Sequence, residues 1–168
     1  MKNKKGFTLI EIMVVIAVVA ILAAAALVNS GKNADRDVRL EAERLKTFLR
    51  DVQNKSLQGE VAPGTKTCGF GVRMNNGNFQ SYYVSVPNLD FDCLSYVNSY
   101  DGDNSDAAFV PRNGATVSFS GTRLFFLIPS GKPYLNGSDG FSWAVFNLSK
   151  GGASVTVQVS NAGEIRVQ

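Results

Sequence analysis

Glu11 stands inside a run of 22 residues, Phe7 to Val28, in which it and Thr8 are the only polar side chains. A carboxylate placed in such a segment costs about 2.5 to 3.5 kcal/mol on insertion scales, so it calls for a cation. Cleavage of the bond between Gly6 and Phe7 would create one, a new amine at Phe7, four residues before Glu11. In a bundle of such helices the amine of one chain can neutralise the glutamate of the next, and a paired buried charge is far less costly than a lone one. The chemistry at Glu11 is then ion pairing between copies, with the glutamate acting as a register mark.

The rest of the reactive inventory is thin. The chain has no histidine, which removes the usual general base, the imidazole zinc ligand and the Ser-His or Cys-His dyad together. With no matched carboxylate pair and no nucleophile motif, the expectation is a protein that is not an enzyme. Cys68 and Cys93 lie 25 positions apart without C-x-x-C spacing, which fits neither a zinc knuckle nor a thioredoxin-like motif. Outside the cytoplasm they would form a disulfide, stabilising the fold by about 3 to 4 kcal/mol on loop entropy; two buried free thiols are the alternative. Asp101, Asp103 and Asp106 sit in an acidic stretch whose hard oxygens suit calcium. The spacing only half fits an EF-hand, because Asp106 stands where glycine is needed and Arg112 where a bidentate glutamate is needed. The expectation is therefore no cofactor and a polar surface loop from Tyr96 to Asp106, with an irregular calcium loop as the alternative.

These residues need elements to hold them. The 168 residues suffice for one domain with a core plus an appendage. Net charge is +3, but Lys2, Lys4 and Lys5 precede the apolar run, so a chain without residues 1–6 carries 14 basic against 14 acidic side chains. Such a balance gives no global reason to bind nucleic acid. As a helix, Phe7 to Val28 measures about 33 Å, enough to cross a bilayer. The three lysines favour a cytoplasmic N-terminus, which would place the remainder outside the cytoplasm. A secretory signal peptide, with Ala23 to Ala26 supplying small residues for cleavage, and a plain membrane anchor also fit the basic start and apolar middle. Neither accounts for Glu11.

The run Gly6-Phe7-Thr8-Leu9-Ile10-Glu11 followed by an apolar helix resembles the class III signal of type IV pilins and of the pseudopilins of type II secretion. The resemblance implies removal of the leader after Gly6 by a prepilin peptidase of the membrane, N-methylation of Phe7, and lateral assembly of the helices into a filament core. It also implies an inner-membrane precursor with a single pass and its head outside the cytoplasm.

Behind the apolar run, Val38, Ala42, Leu45, Leu49 and Val52 follow helical steps with Phe48 alongside, while charged residues occupy the other faces. This predicts an amphipathic helix from about Ala34 to Leu57, continuous with the apolar one, with Gly31 as a kink or thinning point and Gly59 and Pro63-Gly64 as terminators. Further on the period changes to two. Phe70 to Met74 and Phe79 to Val86 flank an Asn-Gly turn and predict a hairpin. Strands follow at Thr116 to Ser120, Arg123 to Ile128, Trp143 to Leu148, Ser154 to Val159 and Glu164 to Val167. The fold class is α+β: a long N-terminal α-helix, its hydrophobic half protruding, packed on antiparallel β-sheets of a globular head. Its parts are a leader at 1–6, a transmembrane or filament-core helix at 7–28, its amphipathic continuation at 29–58, and a β-rich head at 59–168.

The Ile128-Pro129-Ser130-Gly131 turn and the closing Ser160 to Val167 hairpin are similar to minor pilins and pseudopilins of the FimT-like and GspH-like branch. This implies a structural subunit of minor character, whose partners are other pilin or pseudopilin subunits through the N-terminal helix, the prepilin peptidase and the inner membrane. DNA-uptake minor pilins of that branch carry a Gly-Arg-x-Arg turn. Here the matching positions read Gly163-Glu164-Ile165-Arg166, leaving Arg166 as a DNA contact weakened by the adjacent glutamate. A DNA-binding competence pilin, or a filament-tip head that binds glycan through exposed aromatics, is the alternative function. For most of the aromatics the expectation is packing between helix and sheet.

Overall fold

The computed structural model describes residues 9–59, 66–86, 93 and 105–168. Among the described residues, the long helix α1 (Leu9–Leu57) precedes nine strands. In chain order these are β1 (Lys66–Asn75), β2 (Asn78–Val86), β3 (Ser105–Phe109), β4 (Thr116–Phe119), β5 (Arg123–Leu127), β6 (Lys132–Leu135), β7 (Trp143–Lys150), β8 (Ala153–Ser160) and β9 (Ile165–Val167). They form a five-stranded sheet in the order β3-β2-β1-β5-β6 and a four-stranded sheet in the order β4-β7-β8-β9. Every strand pairing within the two sheets is antiparallel. This is the α+β arrangement expected from the hydrophobic periods, and the pilin-like one that the resemblance implies.

The second half of α1 packs as its spacing requires. Val38, Ala42, Leu45, Leu49 and Val52 are all buried against Phe70, Val72, Phe146 and the inward valines of β8, Val155, Val157 and Val159. Each leucine so enclosed contributes about 1.5 to 3 kcal/mol relative to exposure. Phe79 meets Phe146 edge-on at 5.2 Å, and Phe119 stacks on Phe146 at 4.2 Å, so aromatics bridge the two sheets. The helical assignment runs through Gly31, the expected kink or thinning point, without interruption. Packing of the following turns on the head outweighs a propensity penalty of at most about 1 kcal/mol. The helix ends where predicted, with Gly59 at φ +66°; Pro63 and Gly64 lie outside the described residues.

The last turns of α1 join the sheets. Ser56, fully buried, donates its hydroxyl to the carbonyl of Phe126 at 2.9 Å and accepts the N–H of Phe70 at 3.1 Å. The β1–β2 hairpin turns on Asn76 and Gly77, at φ +49° and +78°, the pair of left-handed residues that a two-residue type I′ turn needs. All seven expected strands form. β3 and β6 were not foreseen. Ser105 and Asp106, expected in the polar loop, instead open β3, whose place beside β2 is fixed by Ser81: its hydroxyl donates to the Ala107 carbonyl at 3.0 Å and accepts the Ala107 N–H at 2.7 Å. β6 contains Pro133, which argues against a central strand and is tolerated at a sheet edge, where β6 lies.

A second, smaller core lies on the face of the five-stranded sheet away from α1. Cys68, Tyr82, Val84, Val86, Phe125 and Tyr134 are buried there, with Cys93 packed against them. Tyr82 and Phe125 stack with ring centroids 6.2 Å apart. Gly69 and Gly71 leave room for them: a Cβ at Gly71 would come within 2.7 Å of the Tyr82 ring, and one at Gly69 within 2.6 Å of Phe125 Cζ.

Candidate functional site

The first half of α1 makes no use of the head. Leu9–Ala26 forms an 18-residue span of mean hydropathy 2.9, and none of it is buried. Leu9, Ile10, Ile16 and Ile21 each expose more than 60% of their surface. At 1.5 Å per residue the span measures about 27 Å, close to the hydrocarbon core of a bilayer. Water is a poor environment for such a surface, and a bilayer or a sheath of similar helices would cover it. Glu11 lies in the first described turn, exposed like its neighbours. Gly6 and Phe7, with the lysines ahead of them, lie outside the described residues.

α1 also carries charge where it meets the head. Glu41 is 2% exposed, and both its carboxylate oxygens accept from Arg44 Nη1, at 2.7 and 2.6 Å. The N–H of Arg112 donates to the same carboxylate at 3.3 Å, and the Arg44 guanidinium lies 5.4 Å from the Phe109 ring centroid. This cluster ties α1 to the β3–β4 connection. No signal in the hydrophobic period marks it, since Glu41 directly precedes the core residue Ala42; only its pairing with Arg44 three positions on could have suggested it.

The remaining candidates are dispersed. Cys68 and Cys93 are joined in a disulfide, Cα atoms 5.4 Å apart, as expected for a domain outside the cytoplasm. Arg166 is held by its neighbours: Nε and Nη2 donate to Gln158 Oε1 at 3.3 and 3.2 Å, and the guanidinium lies 3.9 Å from the Trp143 ring centroid. Gln158 faces Arg166 in the β8–β9 register, so these contacts follow from strand pairing. Asp101 and Asp103 lie outside the described residues, and Asp106 is in β3. Among the described residues no group of three or more Asp, Glu, Cys or His is placed to hold a metal ion. The aromatics of the described head mostly fill its cores, with Phe79, Phe125, Phe126 and Phe146 fully enclosed.

Residues 1–27 match the family model of the prokaryotic N-terminal methylation motif. The chain is also similar to the type II secretion system protein I of Pseudomonas aeruginosa, 36% identical over 63 residues, which is 38% of this chain and 49% of that protein. Both findings support the resemblance to type IV pilins and pseudopilins. The chain spans about half the length of the curated relative it matches. No solved structure matches it. The apolar helix and the methylation motif together fit membrane anchoring.

Proposed function

We propose that this chain is a subunit, minor in character, of a type IV pilus-like filament or type II secretion pseudopilus. It is made as an inner-membrane precursor with a single pass and its head outside the cytoplasm. A prepilin peptidase removes residues 1–6 after Gly6, and the new N-terminus at Phe7 is methylated. Glu11 then meets the Phe7 amine of a neighbouring copy or related subunit, and the ion pair sets the register of the helices. The name of the relative, a type II secretion protein, favours the pseudopilus among these assemblies. One observation carries the reading: an apolar span with no buried residue continues, without a break, into a helix that forms the core of the head.

Mass spectrometry of the protein purified from its host tests the processing. The expected first residue is a methylated Phe7, and any other N-terminus overturns it. Glu11→Leu tests the pairing. The variant should be cut and inserted into the membrane but enter sheared filaments at least tenfold less than the native chain. Equal incorporation would remove the electrostatic basis of the register.

DNA binding is the weaker reading. Gln158 takes two of the five N–H donors of Arg166 and Trp143 covers its guanidinium, and Glu164 stands where a second cation would be needed. Phosphate contacts require available positive charge. Retardation of duplex DNA by the purified protein at low salt, abolished by Arg166→Gln, would revive it.

A further inference from the structure

Three turns of the head carry the same dipeptide: Asn76-Gly77, Asn113-Gly114 and Asn136-Gly137. In each, both residues have positive φ, at +49° and +78°, +56° and +73°, and +51° and +85° respectively. That is the geometry of a two-residue type I′ turn. In the second turn the Ala115 N–H donates to the Arg112 carbonyl at 3.0 Å, and in the third the Ser138 N–H donates to the Leu135 carbonyl at 2.9 Å. All three asparagines are exposed. A turn closed in this way leaves the N–H of its glycine without a partner inside the turn. Each asparagine thus holds an electrophile, its side-chain amide carbon, one residue before a backbone nitrogen that no Cβ shields.

Attack of that nitrogen on the amide carbon closes a succinimide ring. The new bond joins the glycine nitrogen to Cγ, the bond from Cγ to Nδ2 breaks, and Nδ2 leaves as ammonia with the proton that the glycine nitrogen gives up. Water then opens the ring at either carbonyl, which yields aspartate or isoaspartate and one new carboxylate. The reaction consumes only water. What distinguishes the three sites is how their side chains are held. Asn136 Oδ1 accepts from the Thr122 N–H at 2.9 Å, from Thr122 Oγ1 at 2.9 Å and from the Arg123 N–H at 3.2 Å, so the amide is clamped to the β4–β5 turn. For its Cγ to reach the Gly137 nitrogen these bonds must break, and each slows the reaction by about two- to tenfold. The side chains of Asn76 and Asn113 make no hydrogen bond among the described residues.

We propose that Asn76 and Asn113 are sites of spontaneous deamidation, and that Asn136, with the same dipeptide in the same kind of turn, is protected by its clamp. The inference goes beyond the assembly reading and does not rest on it. Its consequences differ between the two sites. At Asn76 the change stays at the tip of the β1–β2 hairpin. At Asn113 isoaspartate adds one carbon to the main chain inside the turn closed by Arg112 and Ala115, and the N–H of Arg112 is the group that holds Glu41. Ageing of Asn113 therefore loosens the β3–β4 connection from α1, and it sets a new carboxylate beside Arg112.

The test keeps the full chain in detergent at mildly basic pH for days and follows the peptide around each asparagine by mass spectrometry, which reads the exchange of an amide for an acid. In the folded chain Asn76 and Asn113 should convert at least about tenfold faster than Asn136. In the urea-unfolded chain, where the clamp is gone, all three should convert at similar rates. Thr122→Val removes one donor from Asn136 Oδ1, so it should speed conversion there severalfold and leave the other two sites unchanged. Equal rates at all three sites in the folded chain overturn the proposal. So does a folded chain in which Asn76 and Asn113 stay intact while the unfolded chain converts.

Discussion

Gln53, one turn from the end of α1, donates its side-chain amide to the carbonyl of Gly163 at 2.9 Å, across 110 positions of sequence. The bond fastens the β8–β9 turn to the helix. Gly163 has φ +85°, and a Cβ there would lie 2.7 Å from Gln53 Nε2. Gly163→Ala should therefore strain the backbone and displace the donor. The expected loss is about 2 kcal/mol, from a left-handed penalty of about 1 to 2 and part of one hydrogen bond. Urea denaturation of the full chain in detergent, followed by the circular dichroism of the sheets, measures it.

Arg44→Ala would leave the enclosed carboxylate of Glu41 without its cation, keeping only the Arg112 N–H. Fully buried pairs lose about 3 to 5 kcal/mol when one partner goes. Arg44 exposes 37% of its side chain, so water reaches the gap and the loss should be about 2 kcal/mol. Arg44→Ala/Glu41→Leu should recover much of it in the same denaturation experiment, since an apolar side chain needs no partner.

Reduction of the disulfide releases Cys93 from the small core of Tyr82, Phe125 and Tyr134. On loop entropy the fold should lose about 3 to 4 kcal/mol. A denaturation midpoint unchanged by reductant would contradict this. The main core between α1 and the sheets shares few residues with the small one, so circular dichroism of the helix should survive reduction at room temperature.

Lys132 Nζ lies 2.6 Å from Asp139 Oδ2, joining edge strand β6 to the turn behind it. Their hydrogen bond and mutual attraction hold the Asp139 carboxyl below its ordinary value and the Lys132 amine above its own. A depressed carboxylate contributes above its unfolded-state value and loses that contribution as pH falls through the folded one. The raised amine contributes below its unfolded-state value and loses it as pH rises through the folded one. Native chain and Asp139→Asn should thus differ slightly in stability at neutral pH, and the difference should vanish in acid. NMR titration of Asp139 checks the direction. Both side chains are about half exposed, so water screens the pair and the effect is small.

Hydrophobic period made the main framework readable. The stripe Val38, Ala42, Leu45, Leu49 and Val52 faces the core as its spacing requires, and the alternation of β8 puts its three valines inside. What escaped was set by single polar contacts or by tertiary position. β3 depends on one serine hydroxyl of β2. β6 is admitted as a strand because an edge tolerates Pro133. Glu41 lies inside because Arg44 and a distant amide meet it there. The apolar span and its glutamate were legible because they stand apart from the fold, in a segment no head residue covers. Arg166 read as a candidate contact because sequence does not reveal that Gln158 and Trp143 lie beside it.

The unbroken α1 is also a lever. Its fulcrum is the first enclosed turn at Ala34 and Val38, and Glu11 sits about 35 Å away along a rod that has no hinge in its assignment. A swing of only about 10° at the fulcrum would carry Glu11 sideways by about 6 Å, beyond the roughly 4 Å over which an ion pair holds. The aim of the carboxylate is therefore governed by packing at the far end of the rod, and a methyl group lost at Val38 would be felt as misalignment of a charge several nanometres distant.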